Sequence, residues 1–172
     1  MGLSFQVGSA EQVILEPAAS RFAARLAGSY PASSAGADPR EEWCSVELAW
    51  SGWSALQGRV ASTLGETRAP HLLSMEAWFG VYLPTELEPD AIQVEGSPTP
   101  LDVASLPRLI RELEQFGTIS NLPVDDAGLE ALEAKYQDDD LCDEDMDLQT
   151  YAQLLLGARM ARSRNQPLWV IK

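Results

Sequence analysis

Only one histidine, His71, and two cysteines, Cys44 and Cys142, occur in the 172 residues. A single imidazole excludes chemistry that needs two, such as an HExxH zinc site. Two thiols far apart in sequence do not make a disulfide framework, and a chain of this length can bury a core without one. Both thiols are read as reduced, with Cys44 packed in the core, where free cysteine is usually found. The sequence has no GxSxG, no phosphate-binding P-loop and no GxGxxG. No apolar run reaches the roughly 18 residues that span a bilayer. No basic region followed by an apolar run opens the chain, so the expected setting is cytoplasmic.

Positive charge is scarce as well. Twelve Lys and Arg stand against 26 Asp and Glu, a net charge of −14. That excess repels phosphates and disfavours nucleic acid. It disfavours anionic membrane surfaces for the same reason. It favours solubility, cations and a basic protein partner. Apolar residues are 45% of the chain and charged residues 22%, ordinary values for a globular protein.

The first half of the chain reads as strands. Leu3, Phe5 and Val7 alternate with polar residues, which predicts a first strand. Ser9 and Gln12 form a capping box. Beyond it, either one helix kinked at Pro17 or a strand at 13–15 followed by a helix opened by Pro17 ends at Gly28. Residues 29–38 are a loop. Cys44, Val46, Leu48 and Trp50 alternate with Ser45, Glu47 and Ala49. A turn at Ser51–Gly52 then leads into a second run, 53–61, and the two runs predict a hairpin. Residues 71–83 alternate again. Leu73, Met75, Ala77, Phe79, Val81 and Leu83 lie on one face, and Ser74, Glu76, Trp78 and Tyr82 on the other. Gly80 marks a bulge or a close backbone approach. Residues 91–95 form a short edge strand.

After Pro98 the period becomes helical. Leu106, Leu109, Ile110, Leu113 and Phe116 predict a helix closed by Gly117. Val124 and Asp125 precede a second, with Leu129, Leu132 and Tyr136 on one side. Asp147 caps a third that carries Leu148, Tyr151, Leu154, Leu155 and Ala158. Arg159, Arg162 and Arg164 suit the negative end of its dipole. The apolar run 168–171 predicts a strand buried on both faces. The terminal strand needs a sheet to join, so the whole chain, 1–172, is read as one α+β domain. It has a mainly antiparallel sheet packed with three to four helices.

Charge is concentrated in 125–147. Asp125, Asp126, Glu130, Glu133, Asp138, Asp139, Asp140, Asp143, Glu144, Asp145 and Asp147 oppose a lone Lys135, which gives −10. An EF-hand is excluded, because a loop starting at Asp138 has Asp143 where the turn glycine belongs and Gln149 where the bidentate glutamate belongs. No metal or other cofactor is implied. The run is either a solvated loop or a docking surface for a basic partner, centred on Asp138, Asp139, Asp140, Asp143, Glu144 and Asp145.

The catalytic alternatives are thin. A Cys–His pair at His71 is disfavoured, since the carboxylates around Cys142 oppose a thiolate. Glu76, beside Trp78 and Tyr82 and opposite Glu47, is the carboxylate placed for acid–base work. Trp50 and Trp169 are expected in the core. Trp43, Trp53 and Trp78 lie off the main apolar faces. They are either covered by helices or exposed as an aromatic patch, with Trp53 and Trp78 as partner-binding candidates. The leading expectation is a non-catalytic acidic binding protein, in its most concrete form an immunity-type inhibitor of a basic toxin. The alternative is a small enzyme or enzyme subunit working through Glu76 and Glu47.

Overall fold

Alternation, helical periodicity and turn residues settle into seven strands and seven α-helices among the described residues. A computed structural model describes residues 2–31, 43–76, 78–135 and 145–172. In chain order the elements are β1 (Gly2–Val7), α1 (Ala10–Val13), α2 (Ala18–Ser29), β2 (Trp43–Cys44), β3 (Leu48–Ala49), α3 (Trp50–Leu64), α4 (Pro70–Leu73), β4 (Phe79–Leu83), β5 (Asp90–Ile92), β6 (Leu101–Ser105), α5 (Leu106–Ile119), α6 (Asp126–Lys135), α7 (Met146–Arg164) and β7 (Leu168–Ile171). The fold is α+β.

The sheet order is β2-β1-β7-β4-β6-β5, with β3 also pairing β1. Every pairing is antiparallel except β4 with β6. Both faces are covered. Leu3, Phe5, Val7, Tyr82, Ala104, Leu168 and Val170 pack against α3, α5 and α7 through Trp53, Leu56, Val60, Leu113 and Tyr151. On the opposite face, Val81, Leu83, Leu101, Val103 and Trp169 pack against Phe22 and Leu26 of α2. Strands covered on both sides lose the polar/apolar alternation. All five residues of β6 are buried for this reason.

Several expectations are corrected. The run 53–61 is not a strand but the middle of α3. Trp53, Leu56, Val60 and Leu64 are its buried residues, at the three- and four-residue spacing of a helical face. Residues 43–50 pair with β1 through Trp43–Cys44 and Leu48–Ala49, with Ser45 bonded to Phe5 between them, and no hairpin forms because the chain turns into α3 at Trp50. The strand expected over 71–83 starts at Phe79, and Pro70–Leu73 is a helical turn with Pro at its start. β6 was hidden because Asp102 interrupts its apolar run. Gly28 and Gly117 lie inside their helices, which run on to Ser29 and Ile119.

The close approach read at Gly80 is present: a Cβ there would overlap the Met75 sulfur. The expected elements at 3–7, 106–116, 147–161 and 168–171 are all found. The chain between α1 and α2 is broken at Pro17, which directly precedes α2. The exposed Cys44 sits on short strand β2 rather than in the core.

His71 serves the fold. Its backbone N–H and that of Leu72 donate to the Glu112 carboxylate of α5 at 3.0 and 2.9 Å. Glu112 thereby caps α4, a service its own flanking Ala69 cannot provide. The His71 ring lies between two acceptors, Glu112 Oε1 at 2.8 Å from Nδ1 and the Leu87 carbonyl at 3.1 Å from Nε2. Burial opposes a charge on the ring. The bonds to Glu112 and to the Leu87 carbonyl outweigh it and raise the pKa above 6.5. A folded-state value above the unfolded one contributes stability in full below about pH 6.5 and loses it as pH rises through the folded value. Urea unfolding at pH 6 and pH 8 should therefore show the wild type less stable at pH 8. Glu112→Gln should lose about 3–5 kcal/mol at pH 6, as broken buried pairs do, and most of this pH dependence. An unchanged midpoint would show that the pair does not hold α4.

Candidate functional site

The register of the sheet gathers one pocket. Phe79 pairs with Ile171, so Trp78 and Lys172 are neighbours beyond the ends of β4 and β7, and the Lys172 N–H donates to the Trp78 carbonyl at 3.1 Å. Gly2 pairs with Ala49, which places Trp50 beside the start of β1. Glu76 is held by its own N–H, which donates to Asp102 on β6 at 2.7 Å. Gly2, Trp50, Glu76, Trp78 and Lys172 line a cavity of about 240 Å³. A side chain at Gly2 would overlap the Glu47 carboxylate, so Glu47 borders the same place. Of the two catalytic candidates, Glu76 lines the cavity, while Glu47 lies against Gly2 and is not part of its lining; both are exposed.

Trp50 and Trp78 form its aromatic walls and are 41% and 46% exposed. Trp50 was expected in the core. As the first residue of α3 it stands at the rim instead. Trp53, one turn on, is fully buried and tilts against Phe5 at 5.8 Å between ring centroids. It belongs to the core and is not available as a partner-binding residue. Trp169 is core as expected.

The Lys172 amine donates to the Met75 carbonyl at 3.0 Å. It lies 4.5 Å from the centre of the Trp50 ring and 5.7 Å from that of Trp53, within cation–π range. Burial drives its pKa down to about 8, against the attraction of Asp102 and Glu76. Lys172 and Asp102 escaped sequence reading. The only signals were a lysine directly after a buried strand and an aspartate inside an apolar run. Neither identifies a pocket until strand order is known.

A second concavity, of about 380 Å³, lies between α6, α7 and β2. Trp43, Val46, Leu156 and Met160 give it an apolar lining, and Asp126, Glu130 and Glu133 an acidic one. Arg159 is tied to Glu114 at 2.8 Å, to Asp126 at 2.5 Å and to the Val124 carbonyl. Other carboxylates of the acidic segment have structural work. Asp125 accepts from Gly128 N at the start of α6, at 2.8 Å. Asp147, buried at 3% exposure, pairs with Arg59 at 2.6 Å. Asp145 stands at the N-cap position of α7, in place of the expected Asp147, and its side chain makes no capping bond to the helix. Asp138, Asp139, Asp140, Asp143 and Glu144 lie outside the described residues, as does Cys142.

Among the described residues, no group of three His, Cys, Asp or Glu side chains is arranged to hold a metal ion. No helix there is long and apolar enough to cross a membrane. No protein-family model, curated protein or solved structure matches the chain. Function therefore has to be argued from these two sites.

The chain contains two lysines, Lys135 and Lys172, so its lysine side-chain resonances can be assigned by one substitution. The Lys172 Cε signal should titrate with a midpoint near 8 and vanish in Lys172→Arg. Trp78→Ala, which admits water to the amine, should move the midpoint up toward the ordinary value of about 10.4. A wild-type midpoint near that ordinary value would contradict the burial of the amine.

Proposed function

We propose that the protein is a non-catalytic binding protein that docks a basic protein partner on the groove between α6, α7 and β2. Its most concrete form is an immunity-type inhibitor of a basic toxin. The observation that carries this reading is the coincidence of an apolar lining, formed by Trp43, Val46, Leu156 and Met160, with the acidic residues Glu130 and Glu133 beside the Asp126–Arg159 pair. Apolar and aromatic anchors supply affinity at the centre of an interface. Charge of one sign at its rim supplies association rate and selectivity. The groove is built in part by α6, which belongs to the stretch that carries −10 of the chain's −14. Clustered carboxylates repel one another, and a cationic partner relieves that repulsion on binding.

A second reading, a small enzyme working through Glu76 and Glu47, is favoured by one observation. Glu76 shares an aromatic-walled cavity with Lys172.

The docking reading is tested with a partner captured on the immobilised protein, eluted by salt and purified. Its association rate should fall by roughly tenfold or more between about 50 and about 500 mM salt, while dissociation changes little. The triple variant Asp138→Asn, Asp139→Asn, Asp140→Asn should reproduce part of that loss, as should the pair Glu130→Gln, Glu133→Gln. Asn and Gln keep the size of the carboxylates they replace, and the circular dichroism of both variants should match the wild type. A partner that binds both variants at the wild-type rate, with the same salt dependence, would refute the docking face.

A further inference from the structure

We propose that Lys172 is the nucleophile of a binding site for a small aromatic aldehyde, which it captures as an imine between Trp50 and Trp78. The site is independent of the groove between α6 and α7, and its test does not depend on that groove's having a partner.

The chemistry of the lining selects the ligand class. Trp50 and Trp78 present exposed indole surface on a cavity of about 240 Å³, below the roughly 300–1,000 Å³ typical of drug-sized ligands. A single flat ring is the scale that suits it, and aromatic faces favour stacked or edge-on rings. An anionic ligand is opposed by Glu76, by Asp102 behind it and by Glu47 at Gly2. A cationic ligand, though drawn by these carboxylates, meets the Lys172 ammonium and leaves the amine unused as a nucleophile. A neutral electrophile is the class that uses the amine and is repelled by neither charge.

The amine is placed for the reaction. Its main-chain N–H is fixed to Trp78, and its Nζ is steered by the Met75 carbonyl and the face of Trp50. Lysines desolvated against apolar walls are the ones that form imines, and burial here makes the neutral amine accessible near neutral pH. The nitrogen lone pair adds to the carbonyl carbon, and the carbonyl π pair goes to oxygen. A proton passes from nitrogen to that oxygen and gives the carbinolamine. A second proton, relayed through the Glu76 carboxyl, lets the hydroxyl leave as water while the C=N bond forms. The sum is aldehyde plus amine giving imine plus water, with no oxidant or reductant required.

The test uses the full chain with benzaldehyde at pH 7, trapping with cyanoborohydride, and peptide mapping by mass spectrometry. Lys135, exposed on α6, is the internal reference, and the N-terminal amine is read on its own peptide. Lys172 should be alkylated at least tenfold faster than Lys135, with a rate that saturates in benzaldehyde. Trp78→Ala should abolish the saturation with benzaldehyde while leaving the fold, read by near-ultraviolet circular dichroism, unchanged. The same variant's rate with formaldehyde, which has no ring to stack, should stay within about twofold of wild type once each rate is divided by its own fraction of neutral Lys172 amine, taken from the titration of that variant. Glu76→Gln should slow imine formation and shift its pH profile. Equal labelling of Lys172 and Lys135 would overturn the proposal. So would a fast Lys172 whose rate with benzaldehyde is linear in concentration and indifferent to Trp78→Ala, since that describes an activated amine without a site.

Discussion

Strand β7 is the constraint on which the rest depends. It enters the sheet between β1 and β4 and is antiparallel to both. Leu168 and Val170 face the α3, α5 and α7 side, while Trp169 faces α2. Trp169 is fully buried, its indole N–H donates to the Gly8 carbonyl at 3.0 Å, and its ring meets Phe22 edge-on at 6.3 Å. Truncating a buried tryptophan of this kind costs about 3–5 kcal/mol. Both candidate sites descend from this one insertion. Lys172 reaches its pocket because β7 ends beside Trp78. β1, held by β7, carries β2 with the Trp43 of the groove and β3 with Trp50.

Charge is organised around that core in two ways. Arg59, Arg108, Arg111 and Arg159 are engaged in ion pairs with Asp147, Glu86, Glu88, Glu114 and Asp126. The pairs of Arg108 and Arg111 are exposed and contribute little, whereas Asp147 is buried in its pair with Arg59. The effect of these pairs is to tie helices and loops together. The buried His71–Glu112 pair is different. Its carboxylate accepts three hydrogen bonds, and removing one partner strands the other in a dry environment.

Elements with a one-sided pattern were legible in the sequence. β1 shows a two-residue period because Ser4 and Gln6 stay half-buried. α5 shows a helical period because its apolar stripe is narrow. α3 is a helix where the sequence pattern suggests a strand, because its apolar residues mix with Ser, Gly and Gln and follow directly on a short strand with two-residue alternation. β6 was not legible because Asp102 breaks the continuous apolar run that marks a strand buried on both faces, the run that made β7 legible. Of the site residues, Glu76, Glu47 and Trp78 could be singled out by chemistry. Lys172, Asp102 and Gly2 could not, because they meet only through the order β1-β7-β4-β6, which local patterns do not encode. Trp53 was ambiguous for the same reason, and the helix it belongs to turns it inward.

The most direct test of this architecture is native-state hydrogen exchange along β7. Amides whose hydrogen bonds open only on global unfolding exchange at the slowest rates in the molecule. Trp169 and Val170 should be protected as strongly as Phe5 on β1 and Val81 on β4, and should exchange with the free energy of global unfolding. Exchange of Trp169 and Val170 at the fast rates of a fraying terminus, with β1 and β4 still protected, would contradict the central placement of β7 and the two sites built on it.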